Sequence, residues 1–292
     1  MPTPRSLVAA LGLTLTLAVP AAGAAAAAAA EPATALGIPF EARHLVMFDP
    51  ATGISQGMDS ANGGSFIDAD YSSVRHELYT VVFKDGVYTI HRVPQRSGAA
   101  PRAVVAHGSR VTVSPDGRFL AYVYHADGFE GAEAQGIAIL DLDTGATRRF
   151  SGAPVPSGES EDYSVIDNLA ISPDSTRLAF DHFDSRQVFV LDLLTSKTMA
   201  DAHPQGVEGA RSPAFLADGT LAIINAEGRI VTVSSDGDSN LGLIAIADRA
   251  EAIDADDHGN LMVRISDFTW DDTRQPRPYL MRDAGGTVTR LE

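Results

Sequence analysis

From Val111 to Phe150 the chain alternates short apolar runs with tight polar turns. Val111–Val113 reads as one strand, Ser114-Pro115-Asp116-Gly117 as a turn, and the β-branched and aromatic run Arg118–Tyr124 as a second strand. Proline presets the turn's backbone and glycine closes it. After a long polar loop, Ile137–Asp141 forms a third run. Asp143-Thr144-Gly145 reverses the chain into a fourth, Ala146–Phe150. The pattern predicts a four-stranded antiparallel meander. One meander cannot bury both of its faces, so further copies must cover it.

Four such copies are present. Phe66–Tyr71, Glu77–Phe83, Val87–Val93 and Arg102–Ala106 precede the unit, and Asn168–Ile171, Arg177–His182, Gln187–Asp192 and Lys197–Ala200 follow it. Next come Ser212–Phe215, Thr220–Asn225, Arg229–Ser234 and Leu241–Ile244, then Ala252–Ala255, Asn260–Ile265, Pro278–Arg282 and Thr287–Leu291. The first turn of each copy, marked at His76, Gly117, Ser175, Gly219 and Gly259, recurs at intervals of 41, 58, 44 and 40 residues. The long interval holds two polar insertions. A period near 40 residues with four strands per unit is that of a propeller blade. The expected fold class is therefore all-β, a propeller of four-stranded antiparallel blades. His44–Phe48 and Ile54–Met58 resemble only the third and fourth strands of a unit, giving six blade positions with the first incomplete; five blades is the alternative.

The run Ser114–Tyr122 followed by Ile137–Gly145 resembles the WD40-like repeat of the TolB-type propellers, and Ser172-Pro173-Asp174 with Arg177–Phe180 and Val188–Leu194 is a second match. The copies near 212 and 252 are weaker, because Leu216 and Asp256 stand where the serine of the lead-in is expected. This resemblance implies a six-bladed propeller of secreted or periplasmic type. It transfers no activity, since the matching residues shape turns and strands. TolB proteins carry an additional amino-terminal domain, for which the residues before Phe66 leave too little length.

Residues 1–30 have the pattern of a secretory leader: Arg5, an apolar core at Leu7–Val19, and small residues at every cleavage position from Ala22 to Ala30. The core of about 13 residues is short for a membrane span, which needs about 20. Residues 31–292 are then one propeller domain, exported as a free monomer. With 38 acidic against 22 basic residues, the formal charge is -16. That balance argues against partners gripped through phosphates, so neither nucleic acid nor stable membrane insertion is expected. The absence of cysteine excludes disulfides, thiol catalysis, Cys-ligated metals and a lipidated cysteine anchor.

No serine-hydrolase elbow, zinc-protease helix, phosphate loop or dinucleotide fingerprint is present. The chain stops at Glu292, before any α/β-hydrolase domain of the kind that follows similar propellers in prolyl-oligopeptidase-like enzymes. Calcium is the ion that Asp236–Asn240 and Asp254–Gly259 would suit, but Leu241 and Ala247 in the first cluster and Ile265 in the second break the ligand pattern. No cofactor is expected, and His125, His182 and His258 read as loop or strand-end residues. Tyr122, Tyr124 and Phe180 fall on strand period and are expected in the core between blades.

Topology offers a stronger clue. The first-to-second and third-to-fourth turns lie on one face of a propeller, and the second-to-third and inter-blade loops on the other. Three long insertions, His125–Gly136, Ser151–Asp167 and Ser266–Pro276, share this second face. They carry Phe129, Glu130, Glu133, Glu161, Asp162, Tyr163, Phe268, Trp270, Asp271 and Asp272. An acidic rim with aromatics suits a protein or peptide partner with a basic surface. The leading expectation is a non-catalytic interaction scaffold. Two alternatives are a metal-dependent hydrolase or lactonase-like enzyme in the central channel, and a structural component of an envelope complex. For the enzyme, the residues to inspect are Asp68, Asp70, Asp167, Asn168 and Asp254, near the first strands.

Overall fold

A computed structural model of the chain describes residues 34–35, 44–49, 54–60, 63–95, 100–125, 135–151, 166–182, 185–234, 240–244, 249–255, 260–265, 279–282 and 288–291. Its strands form six sheets. Sheet 1 contains β1 (Thr34–Ala35), β2 (His44–Asp49) and β3 (Ile54–Asp59). Sheet 2 contains β4 (Ser65–Ser72), β5 (Glu77–Lys84), β6 (Val87–Pro94) and β7 (Arg102–Ala106). Sheet 3 contains β8 (Gly108–Val113), β9 (Phe119–His125), β10 (Gln135–Asp141) and β11 (Thr147–Phe150), and sheet 4 contains β12 (Ile166–Ile171), β13 (Arg177–His182), β14 (Gln187–Asp192) and β15 (His203–Pro204). Sheet 5 contains β16 (Arg211–Phe215), β17 (Leu221–Ile224), β18 (Ile230–Val233) and β19 (Asn240–Ile244), and sheet 6 contains β20 (Ala250–Ala255), β21 (Leu261–Ile265), β22 (Tyr279–Arg282) and β23 (Val288–Leu291). Every described pairing is antiparallel between strands consecutive in sequence, the expected meander.

Strand alternation makes the sheets stack. Along β9, Leu120 and Tyr122 enter a core with Tyr79, Val81 and Ile90 of sheet 2, while Ala121 and Val123 enter another with Phe180, Phe189 and Leu191 of sheet 4. The same division continues around the molecule: Val188, Val190 and Ile223 join sheets 4 and 5, and Ile224, Ile230 and Val263 join sheets 5 and 6. Sheets 2 to 5 are thus covered on both faces, as period-two apolar strands require. The first strands β4, β8, β12, β16 and β20 contact one another in succession and line the axis, with β1 against β4.

The Ser-Pro-Asp turns explain their own recurrence. Ser114 Oγ donates to Asp116 Oδ1 at 2.5 Å and accepts from Phe119 N–H at 2.8 Å, while Asp116 Oδ1 also accepts from Arg118 N–H at 3.0 Å. Ser172 and Asp174 repeat this, with Ser172 Oγ accepting from Arg177 N–H at 2.9 Å. Side chains here supply partners to backbone groups that leave the ladder.

Residues 44–49 and 54–59 form a hairpin at the outer side of a three-stranded sheet ordered β1-β2-β3, one strand short of the other five sheets. β1, a two-residue strand, leaves no periodicity to read in the sequence. One strand expectation is corrected: Lys197–Ala200 is not a strand, and Met199–Asp201 forms a 3-10 turn before β15. Asp201 Oδ2 accepts from Lys197 N–H at 2.7 Å and Thr198 N–H at 2.9 Å, and that local offer outcompetes the ladder. Tyr122 and Phe180 are buried core as expected, with Tyr124 packed at the margin of the same core.

Candidate functional site

Each first strand of sheets 2 to 6 carries a register shift near its start: between Phe66 and Asp68, Ser109 and Val111, Ile166 and Leu169, Arg211 and Ala214, and Ala250 and Ala252. Arg110 and Ser212 sit within these shifts at φ of 51° and 50°, a conformation uncommon outside glycine. A bulge breaks the in-out alternation and re-aims side chains. Here it gives polar residues to the axis within strands that otherwise feed the cores.

Those residues tie one sheet to the next. Asp68 Oδ2 accepts from Val111 N–H at 2.8 Å, and Asp70 Oδ2 from Val113 N–H at 2.7 Å, both across the boundary of sheets 2 and 3. Asp181 Oδ2 accepts from Ser212 N–H at 2.7 Å across sheets 4 and 5. Ser212 Oγ accepts from Ile253 N–H at 2.9 Å and donates to Ile253 O at 3.2 Å across sheets 5 and 6. An innermost strand is an edge, and its channel-facing N–H groups have no ladder partner. The carboxylates and the hydroxyl take that place. The second oxygen of each also accepts, Asp68 Oδ1 from Ala69 N–H, Asp70 Oδ1 from Tyr71 N–H, and Asp181 Oδ1 from Asn168 N–H, with the Asn168 amide donating to Asp181 Oδ2.

Burial raises the proton affinity of these acids. Asp68 is pushed up to about 6, burial outweighing Arg110 and the two N–H donors. Asp181 also reaches about 6, through burial and the charge of Asp167. Asp70 rises well above the carboxylate range, first from burial and then from Asp254. Arg110 pairs with Asp167 at 2.5 Å.

The channel has two ends. Toward the tight turns, a cavity of about 60 Å³ is lined by Asp70, Thr112, Ala170, Ala214 and Asp254, one position repeated on five first strands, with Pro115 and Pro173 at its mouth. At the loop end, Ser109 Oγ and His125 Nε2 lie 2.5 Å apart, and the His125 ring stacks on Tyr88 with centroids 5.5 Å apart. Burial, then Arg110 and His107, lowers the His125 pKa to about 4. Arg264 is buried against Glu251, Nε to Oε2 3.1 Å. Among the described residues, no three His, Asp or Glu side chains converge so as to hold one metal ion.

The five channel candidates read from the sequence all reach the axis, in two tiers: Asp68, Asp167 and Asn168 toward the loop end, Asp70 and Asp254 toward the turns. Sequence reasoning missed Asp181, Ser212 and Arg110. Asp181 had a signal, a lone carboxylate ending the apolar run Leu178-Ala179-Phe180 on a second strand. His125 and His182 are strand-end residues as expected, yet largely buried rather than solvated. The ten rim residues Phe129, Glu130, Glu133, Glu161, Asp162, Tyr163, Phe268, Trp270, Asp271 and Asp272 lie outside the described residues, as do Asp236–Ser239 and Asp256–Gly259 of the two acidic clusters.

No protein-family model and no curated protein matches the chain. Among solved structures, TolB from Acinetobacter baumannii superposes with a TM-score of 0.62 at 13% identity, over 88% of this chain and 62% of the TolB chain. The fold is that of a TolB-like β-propeller. The chain spans less than two thirds of TolB, so the likeness concerns the shared part of that structure. The propeller is also similar to a luciferin-regenerating enzyme, with a TM-score of 0.56 at 11% identity over 89% of this chain and 91% of that one. A protein of unknown function from Bacteroides caccae gives 0.58 at 12% identity, over 89% and 94%. At these identities the likeness concerns the propeller's architecture.

Proposed function

We propose that this TolB-like propeller is an exported, non-catalytic interaction scaffold that engages a protein or peptide at its loop end. The carrying observation is that Asp68, Asp70 and Asp181 are each committed to a backbone N–H of the following sheet. Such carboxylates hold the ring together and are poorly placed to ligate a metal or move protons. Binding then falls to the surface from which the three insertions leave, next to His125, Ile166 and Ile265. Their acidic and aromatic residues would receive a basic partner, and the leader at residues 1–30 would place the encounter outside the cytoplasm. No helix among the described residues is long and apolar enough to cross a membrane.

The test is capture from the native secretome with the wild-type chain and with the double variant Trp270→Ala, Tyr163→Ala. Loss of a captured protein in the variant is expected; equal recovery by both would overturn the loop-face reading. The enzyme reading keeps one observation in its favour. Asp70 and Asp254 share the cavity at the turn end of the channel, where the charge of one raises the proton affinity of the other.

A further inference from the structure

Sheet 1 stops one strand short of the sheet it covers. β1 lies against β4 near the axis, so β3 is its outermost strand, and among the described residues no strand pairs with β3 on its outer side. Sheet 2 extends one strand further, to β7. Exposure on the face that sheet 2 turns toward sheet 1 follows this mismatch. Phe66, Tyr71, Leu78 and Thr80 of the two inner strands are buried, as is Val93 on β6. His91, paired with Thr80 and so on the same face, is half-buried, and Ala103, paired with His91 on β7, is exposed.

A cavity of about 420 Å³ lies on this strip, between Met58 at the end of β3 and Thr80, Val82, His91, Val93 and Pro101. Native interiors hold few voids larger than a water molecule, whose share of the liquid is about 30 Å³. The cavity falls where a fourth strand of sheet 1 belongs. Edge chemistry agrees, since natural sheets guard exposed edges with charge or proline. Among the outermost strands, β7, β11 and β23 carry arginine and β15 proline, whereas β3 reads Ile-Ser-Gln-Gly-Met up to Asp59. β19 is also uncharged, but it ends a complete four-stranded sheet. Paired strands lie about 4.8 Å apart and facing sheets about 10 Å apart, so the strip admits one strand and not another folded sheet.

We propose that the outer edge of β3 and the cavity beside it receive an extended segment of a partner protein as the fourth strand of sheet 1. The segment's backbone pairs with β3, and alternate side chains enter among Met58, Val82, Val93 and Pro101. The entering positions are apolar. The positions between them point away from the cavity, and a chain of formal charge -16 favours basic residues there. This docking continues the contact that Met58 already makes with the cluster of Phe66, Leu78 and Val93. It uses none of the three loop insertions, so it can fail without the loop-face reading, and that reading without it.

The test is titration of the full chain, ¹³C-labelled at methionine and valine methyls, with three capped ten-residue peptides that alternate lysine with valine, leucine or phenylalanine. Saturable shifts at Met58, Val82 and Val93 with at least one peptide are expected. N-methylation of the backbone amides along one edge of that peptide is expected to weaken binding about tenfold or more, because the ladder bonds go while the side chains stay; along the other edge it is tolerated. Glutamate in place of lysine is expected to weaken it several-fold. His91→Trp, on the cavity floor, and Ala100→Trp, at an exposed position of the lining, are each expected to cost about tenfold or more, and Ala100→Trp decides if the other fails to fold. Leu194→Ala, at an exposed apolar residue beyond β14, and the Trp270→Ala, Tyr163→Ala double variant are expected to leave binding unchanged. No saturable shift with any of the three peptides, undiminished binding in Ala100→Trp, or indifference to N-methylation along both edges would overturn the site. A dimer in sedimentation velocity that Ala100→Trp dissociates would overturn the assignment to a partner in favour of a second copy of this chain.

Discussion

A buried carboxylate that accepts two backbone N–H groups is pulled in opposite directions, and at Asp68 burial prevails, lifting its pKa to about 6. Because the unfolded value is near 3.8, the folded state binds the extra proton between these limits. Its contribution is present below about pH 4 and is lost as pH rises through about 6. His125 has the opposite sign: held neutral down to about 4, it stabilises the fold above the unfolded value of 6.5 and withdraws that contribution as pH falls. Urea midpoints at pH 4 and pH 7 separate the two. Asp68→Asn is expected to remove a loss on the order of 1–3 kcal/mol between pH 4 and 7. His125→Gln is expected to lose less stability than wild type on acidification from pH 6.5 to 4. Parallel profiles for wild type and both variants would contradict these assignments.

The blade's first turn is the element most legible in the sequence, because its chemistry is local. Ser114 and Asp116 satisfy the turn's backbone themselves, and the same spelling at Ser172 and Asp174 predicts the same turn. Glycine is not universal at the marked positions. Gly117 and Gly219 hold φ of +69° and +82°, whereas His76 and Ser175 stand at φ 54° and 57°, and the buried Ser175 hydroxyl has no hydrogen-bond partner among the described residues. Ser175→Gly is therefore expected to stabilise the chain by about 1 kcal/mol in equilibrium unfolding, by relieving both the strain and the orphaned hydroxyl. A neutral or destabilising effect would contradict that reading. Elements without strand-like spelling were not legible: β1 has two residues, and Met199–Asp201 turns because Asp201 caps the N–H groups of Lys197 and Thr198.

At the scale of the whole molecule, the forty-residue recurrence foretold stacked four-stranded sheets because each apolar strand face requires a neighbour. The channel was only half legible. Asp68, Asp70, Asp167, Asn168 and Asp254 could be named from their place before each first turn, yet the partners of Asp68, Asp70 and Asp167 come from another sheet, 43 or 57 residues away, and no contiguous motif records such a pairing. Arg110 and Ser212 were invisible because bulges, rather than strand period, aim them at the axis. On the proposed function, the inner acids join sheets and hold no catalytic metal. Elemental analysis of the mature protein, purified without chelator and then dialysed, tests this directly. Divalent metal far below one ion per chain and a melting temperature unmoved by chelator are expected; one retained ion per chain, with melting lowered by its removal, would contradict the sheet-joining role of the inner acids.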